Sequence, residues 1–156
     1  MSKVIGSLNT MYNIERASAT IYKAQAGAFR SNAAVYETLN AATANEQEHA
    51  DRLKSRVAEL KGRLSFLGWL FALGGMMIGF GTRFMGKKRI MKANIWVEKK
   101  AIKDYGAFLE RVNFDEKSAA LIKKNIGDEQ RHVNSWSGIL DKFNKKAGGI
   151  DNAVHS

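Results

Sequence analysis

The chain has 156 residues, 45% of them hydrophobic and 26% charged, which is the composition of an ordinary folded domain. It contains no cysteine, so disulfides, Cys-ligated zinc, iron–sulfur clusters and a cysteine nucleophile are excluded. It contains no proline, so only glycine or packing can interrupt a helix. The net charge of +10 suggests attraction to an anionic membrane surface or nucleic acid, although a solvated surface explains such a balance equally well. No nucleic-acid fold signature is present. We expect one domain over residues 1–156.

Four long segments carry apolar residues at the three- and four-residue steps of a helix. Between the first two lies a short turn ending at Asn32, and between the last two a turn ending at Asp115. Both are capping residue types, and links this short join antiparallel helices. The pattern therefore predicts an all-α four-helix bundle made of two helical hairpins, with helices over about residues 3–29, 32–63, 86–112 and 115–146.

The segment between the two hairpins has a different composition. Residues 64–81 carry no charge and are rich in Leu, Phe, Met and Gly, and basic residues flank the segment on both sides. Its length of 18 residues is at the lower limit of a membrane span, and its glycines argue against a regular spanning helix. Two interpretations remain open, a crossover packed along the bundle and an interfacial segment that enters one leaflet of a membrane.

Each predicted helix has a glutamate on its apolar seam. A buried carboxylate needs a counter-charge, a proton or a metal ion, because burying it unpaired costs several kcal/mol. On the second and fourth helices a histidine follows the glutamate three residues later, in Glu46-Gln47-Glu48-His49 and Glu129-Gln130-Arg131-His132. Residues three apart share a helix face, so each pair can direct two ligands at one ion.

This pattern occurs twice in the chain. A single offset of 83 residues relates Glu15 to Glu98, Glu46 to Glu129, His49 to His132 and Tyr22 to Tyr105. Each hairpin thus supplies one lone glutamate and one Glu-x-x-His, the ligand inventory of the ferritin-like di-metal carboxylate bundles. Single motifs of this kind are common by chance, but six ligand-type residues at duplicated spacing are not. The sequence therefore predicts a metal site formed by Glu15, Glu46, His49, Glu98, Glu129 and His132.

Four carboxylates and two imidazoles suit two divalent iron ions, and manganese would be accepted by the same ligands. We assign Glu46 and Glu129 as bridges, because the glutamates of the Glu-x-x-His pairs usually bridge in such sites. Glu15 with His49 would then complete one metal, and Glu98 with His132 the other.

Other polar residues near the motifs are weaker candidates. Tyr22 and Tyr105 lie two turns from the lone glutamates and can hydrogen-bond ligands or relay electrons, although core packing accounts for them equally well. Glu48 and Asp128 adjoin the motifs and can accept hydrogen bonds from ligand histidines, but we expect them on the helix surface. The third histidine, His155, is in the tail and is assigned no role.

The sequence resembles the demethoxyubiquinone hydroxylase family, the di-iron monooxygenases of ubiquinone biosynthesis. The resemblance covers about residues 12–136 and rests on Glu15-Arg16-Ala17, Ile21-Tyr22-Lys23-Ala24-Gln25, Glu46-Gln47-Glu48-His49, Phe71-Ala72-Leu73-Gly74, Gly86-Lys87-Lys88, Val97-Glu98, Tyr105 and Asp128-Glu129-Gln130-Arg131-His132. The chain departs from the family pattern at Ile14, Arg16 and Ala17, where glycines are usual, and at Asp104, where histidine is usual. These departures spare the ligands and leave the substrate and electron donor open.

The resemblance implies two iron ions that activate O2 and a quinone-like lipid whose ring is hydroxylated. It also implies contact with a membrane surface through residues 64–89 and a separate electron donor. We expect a cytoplasmic protein that is peripheral on the inner membrane, since the first residues lack the apolar core of a signal peptide. A homodimer is compatible with these expectations, and no nucleic-acid partner is expected.

Three alternatives stay open beside the hydroxylase. A rubrerythrin-like peroxidase or ferroxidase shares the symmetrical ligand set and can use a separate donor. A ferritin-like iron-binding protein would hold the same metals without turnover, although the apolar crossover argues against a soluble storage shell. A metal-free helical interaction protein would require other partners for all six seam residues.

Overall fold

The computed structural model describes residues 1–65 and 68–151, so residues 66–67 of the apolar segment and His155 lie outside the described residues. Over that part of the chain the structure is all-helical, with five α-helices and no strand. The predicted helical bundle is confirmed at this level. The helices are α1 (Ser2–Ala26), α2 (Ala33–Glu59), α3 (Gly68–Thr82), α4 (Lys87–Arg111) and α5 (Glu116–Asp151).

Two hairpins form as the turn signals predict. Asn32 caps α2 by accepting a hydrogen bond from the Val35 amide at 3.4 Å, and Asp115 caps α5 by accepting one from the Ser118 amide at 3.0 Å. α1 packs against α2, and α4 packs against α5. Further contacts of α1 with α4 and of α2 with α5 join the two hairpins.

The two largest differences from the predicted helix ends are in α2 and α5. α2 ends at Glu59 and not near residue 63, because Lys61 adopts a left-handed conformation with φ of 55°. The Gly62 amide then bonds the Val57 carbonyl at 2.9 Å, which satisfies the end of the helix. α5 continues to Asp151, five residues beyond the predicted end at 146.

The apolar segment contains a helix, α3, which packs along α1 through two glycines. A Cβ atom at Gly75 would lie 2.5 Å from the Ala17 carbonyl oxygen, and one at Gly79 would lie 2.7 Å from the Ile21 carbonyl oxygen. Only glycine allows this approach. Within residues 1–65 and 68–151, no helix combines the length and apolarity needed to cross a bilayer.

The bundle interior has two apolar clusters, one toward each end of the helices. One cluster includes Tyr22, Phe29, Leu39, Met91 and Trp136, and the other includes Leu8, Met11, Leu53, Tyr105 and Ile122. On every helix of the two hairpins, the predicted ligands fall between the residues of these two clusters. The fold therefore places the polar seam residues in the middle of the bundle.

Candidate metal centre

All six predicted ligands meet at this central level. They are at most 1% exposed, except His132, whose side chain is 12% exposed. α1 and α4 each contribute one glutamate, whereas α2 and α5 each contribute a glutamate and a histidine one turn apart. We call this set the carboxylate–histidine cluster: Glu15, Glu46, His49, Glu98, Glu129 and His132.

The cluster divides into two overlapping groups whose ligand atoms lie within 4.8 Å of one another. Glu15 and His49 belong to the first group, and Glu98 and His132 belong to the second. Two glutamates, one each from α2 and α5, belong to both groups. The geometry thus forms two adjacent pockets of oxygen and nitrogen atoms with two shared carboxylates.

The Nδ1 atom of each histidine faces three carboxylates. His49 Nδ1 lies 3.2 Å from Glu129, 3.7 Å from Glu15 and 3.8 Å from Glu46. His132 Nδ1 lies 2.9 Å from the same Glu46, on its other oxygen, and 3.1 Å from Glu129. The third carboxylate near His132 Nδ1 is that of Glu98, at 3.3 Å.

The two tyrosines hydrogen-bond the lone glutamates across the bundle. Tyr22 on α1 donates to Glu98 on α4 at 2.5 Å, and Tyr105 on α4 donates to Glu15 on α1 at 2.6 Å. The bonds are reciprocal, as the 83-residue offset leads one to expect of a twofold arrangement. Burial, and then the neighbouring carboxylates, raise the pKa of both phenols well above 10. Both tyrosines therefore stay protonated and act as donors.

The expectation that Asp128 lies on the helix surface is wrong. It is 2% exposed and accepts a hydrogen bond from His49 Nε2 at 2.9 Å. Burial raises the pKa of Asp128, but the bonds from His49 and Lys124 outweigh this and lower it. The ionised carboxylate fixes the imidazole proton on Nε2 and leaves Nδ1 facing the cluster. Glu48 does lie on the surface, paired with Arg52.

Without metal, protons balance the charge of the cluster. Burial lowers the pKa of His132, but three carboxylates, Glu129 first, raise it to about 12. The pKa of His49 is raised in the same way. Burial raises the pKa of Glu129, yet the nearby imidazolium groups of His132 and His49 lower it to about 2. Burial and the repulsion of Glu129 raise the pKa of Glu98 to about 7, despite His132. A metal ion would have to displace these protons.

Several buried ligand atoms have no hydrogen-bond partner among the described residues. They are both carboxylate oxygens of Glu46, Nδ1 of His49 and one oxygen of Glu129. Buried polar atoms are nearly always paired, so these need another partner. Convergent carboxylate oxygens and imidazole nitrogens are ligands for iron or manganese, and the donor set therefore fits a di-metal group.

Two donors to the lone glutamates were missed from the sequence. Asn125 donates to Glu15 and Trp136 donates to Glu98, each at 3.4 Å. Asn125 lies four residues before Glu129, so an amide on the ligand-bearing face of α5 was the available signal. Trp136 lies four residues after His132 on the same face.

Comparison with known proteins identifies the family. Residues 14–141, most of the chain, match the family described as "Ubiquinone biosynthesis protein COQ7". The chain belongs to this family. It is also similar to a protein of Nitrosospira multiformis named "3-demethoxyubiquinol 3-hydroxylase", with 33% identity over 114 residues that cover 72% of this chain. The chain spans about half of that relative, 54% of its length. Both findings support the family resemblance read from the sequence.

Proposed function

We propose that this protein is a di-iron monooxygenase that hydroxylates the ring of a quinol lipid at a membrane surface, in ubiquinone biosynthesis. Membership of the COQ7 family and the name of the relative support the hydroxylase class and the quinol substrate. The proposal includes a ferritin-like arrangement of the two hairpins as a single di-metal domain over residues 1–156. The reciprocal tyrosine–glutamate bonds support that arrangement.

The sharing of Glu46 and Glu129 between the two ligand groups carries the proposal. Two carboxylates common to two adjacent pockets would hold both of two cations, while the lone glutamates and the histidines would each hold one. Four carboxylates also offset the four positive charges of two divalent ions, which makes the buried group tolerable.

The carboxylate–histidine cluster would hold two ferrous ions, which would supply electrons for the activation of O2. The residues around them hold the ligands in place. Asp128 keeps the proton of His49 on Nε2, and the tyrosine hydroxyls orient Glu15 and Glu98. The apolar clusters above and below the site exclude water, which protects a reactive centre from side reactions. The proposal includes a separate electron donor, because these 156 residues contain no cysteine that could hold an iron–sulfur group.

A lipid substrate would reach the site from the side of α3. The face of α3 that is turned away from α1 exposes large apolar side chains, and Met77 is 67% and Phe84, just beyond the helix, 81% exposed. Exposed Lys87, Lys88 and Arg89 follow directly. An apolar surface beside basic residues suits an anionic lipid interface. Between α1 and α3 lies an apolar groove of about 380 Å³, lined by Ala17, Ile21, Leu70, Gly74, Gly75 and Ile78.

The decisive experiment joins metal analysis to product analysis. Protein purified anaerobically should contain about two irons per chain and should transfer one atom of labelled O2 into a short-tailed demethoxyubiquinol when a reductant is present. If the protein contains iron and consumes H2O2 rapidly but does not hydroxylate the ring, the function would be that of a rubrerythrin-like peroxidase and not of a hydroxylase. The absence of stoichiometric metal after anaerobic reconstitution would refute both.

The membrane contact is tested with Met77→Asp. A charge in the outward face of α3 should weaken binding to anionic liposomes at least about tenfold, because it places a carboxylate in the interface. Tyr36→Asp is the matched control, since Tyr36 is a partly exposed aromatic residue on α2. Equal liposome binding by the two variants would contradict contact through α3.

A further inference from the structure

Two buried amide side chains lie one helical turn beyond Tyr22 on α1 and Glu98 on α4, and both have unpaired polar atoms. Gln25 on α1 and Asn94 on α4 are each 1% exposed. Asn94 has no hydrogen-bond partner on either its oxygen or its nitrogen, and the Gln25 oxygen also has none. An unpaired buried polar group destabilises the folded protein, so amides at these positions call for an explanation.

The orientation of the Gln25 amide follows from its neighbour. The Thr82 hydroxyl donates its proton to the Gly79 carbonyl at 2.9 Å, so its oxygen accepts from Gln25 Nε2 at 3.1 Å. The Gln25 oxygen is therefore the end of the amide that does not bond Thr82. Reversing the Asn94 amide would not help, because neither of its ends has a partner.

The two amides lie at the same level of the bundle. Two hydrogen bonds fix the register of α1 and α4. Glu15 pairs with Tyr105, and seven residues later on α1 Tyr22 pairs with Glu98, which is seven residues earlier on α4. α1 and α4 are thus antiparallel in a fixed register. Gln25 lies one helical turn after Tyr22 on the same face of α1. Asn94 lies one turn before Glu98 on the same face of α4, so the two amides are at the same level.

The pseudo-twofold counterparts of these amides are apolar. The 83-residue offset that relates the ligands and the tyrosines relates Asn94 to Met11 and Gln25 to Phe108. Met11 is fully buried in the apolar cluster at the other end, and Phe108 packs against that cluster. An apolar pair therefore fills the corresponding level at the opposite end of the bundle. The polar pair occurs only at the end where α3 supplies Thr82.

We propose that Gln25 and Asn94 bind a ring hydroxyl of the quinol substrate and so select the reduced ring over the quinone. This inference rests on the proposed function. The two amide oxygens can be satisfied only by donors, and a quinol hydroxyl donates its one proton to one of them while its oxygen accepts from the Asn94 nitrogen. A quinone carbonyl only accepts and leaves both amide oxygens unpaired. The ring would then lie one turn from Glu98 and the second metal pocket.

The test compares the binding of a short-tailed demethoxyubiquinol and of its quinone, measured anaerobically by calorimetry on the purified full chain. Wild type should bind the quinol about tenfold more tightly, the effect of about one buried hydrogen bond. Asn94→Leu replaces the amide with an apolar side chain of similar size, and it should lose this preference while keeping its metal content and thermal stability. Gln25→Met should reduce the preference in the same way. Met11→Leu, at the counterpart position, is the control and should keep it.

The outcomes separate the inference from the function on which it rests. A quinol preference that survives in both amide variants would overturn the inference and leave the hydroxylase proposal intact. A marked loss of stability in Asn94→Leu would also overturn it, because the amide would then be structural. If wild type binds neither form of the ring, the substrate proposal fails and the inference fails with it.

Discussion

The packing of α3 against α1 can be tested by replacing a glycine of α3 with alanine, which adds a single methyl group. In Gly79→Ala the new Cβ would lie 2.7 Å from the carbonyl oxygen and 2.8 Å from the Cα of Ile21. Both are backbone atoms and cannot rotate away. In Gly74→Ala, on the same helix, the new Cβ meets nothing within 4 Å. The two substitutions are chemically identical and differ only in their contacts.

The magnitudes follow from two opposing effects. Alanine is favoured over glycine within a helix by up to about 1 kcal/mol, and both variants receive this gain. Overpacking against a rigid backbone costs about 1–3 kcal/mol, and only Gly79→Ala incurs it. We therefore expect Gly74→Ala to stabilise α3 slightly and Gly79→Ala to be about 1–3 kcal/mol less stable than Gly74→Ala.

Hydrogen exchange of the α3 amides is the appropriate assay, because α3 can separate from α1 without unfolding of the bundle. The α3 amides should exchange faster in Gly79→Ala than in Gly74→Ala, by roughly tenfold for each 1.4 kcal/mol. Urea unfolding would report any additional global effect. Equal exchange rates in the two variants would show that α3 is not held against α1 through Gly79, and the reasoning about the groove between them would fail.

Three further predictions concern the cluster. Glu46→Ala and Glu129→Ala should each lose at least one metal ion per chain, measured by elemental analysis, and full occupancy in either would refute the bridging assignment. Asp128→Asn should weaken metal affinity about 10–100-fold, because His49 loses its carboxylate acceptor; the exposed Glu48→Gln is the control, and equal metal affinity in these two variants would contradict the role of Asp128. The metal-free protein should lose about 1.4 kcal/mol of stability per pH unit above about pH 6.5 for each cluster imidazolium, because the folded state holds protons that the unfolded chain releases. Urea titrations at increasing pH measure this loss, which bound metal should abolish, and a metal-free stability that stays level would contradict the raised histidine pKa values.

Local sequence signals predicted most of the helical organisation. The capping residues Asn32 and Asp115 stand where the structure begins α2 and α5. The end of α2 was predicted too late because Leu60 continues the apolar spacing, whereas Lys61 leaves the helical conformation. Apolar periodicity records which face is buried, and it does not record where the backbone turns.

The ligand set was readable for a related reason. Glutamate and histidine on an apolar seam are costly to bury, so the duplicated spacing of Glu46–His49 and Glu129–His132 is by itself enough to indicate a site. Asp128 was misjudged because it lies one residue outside the seam. Its burial depends on His49 of another helix, and no spacing within α5 reports that contact.

The sequence by itself therefore determined the four helices of the two hairpins and the residues able to bind metal, because each of these depends on side chains a few positions apart on one helix. Only the tertiary structure decided which tyrosine bonds which glutamate, that α3 packs along α1, and that Gln25 and Asn94 share one level of the bundle. These features depend on the register between helices that are distant in the chain, and packing sets that register.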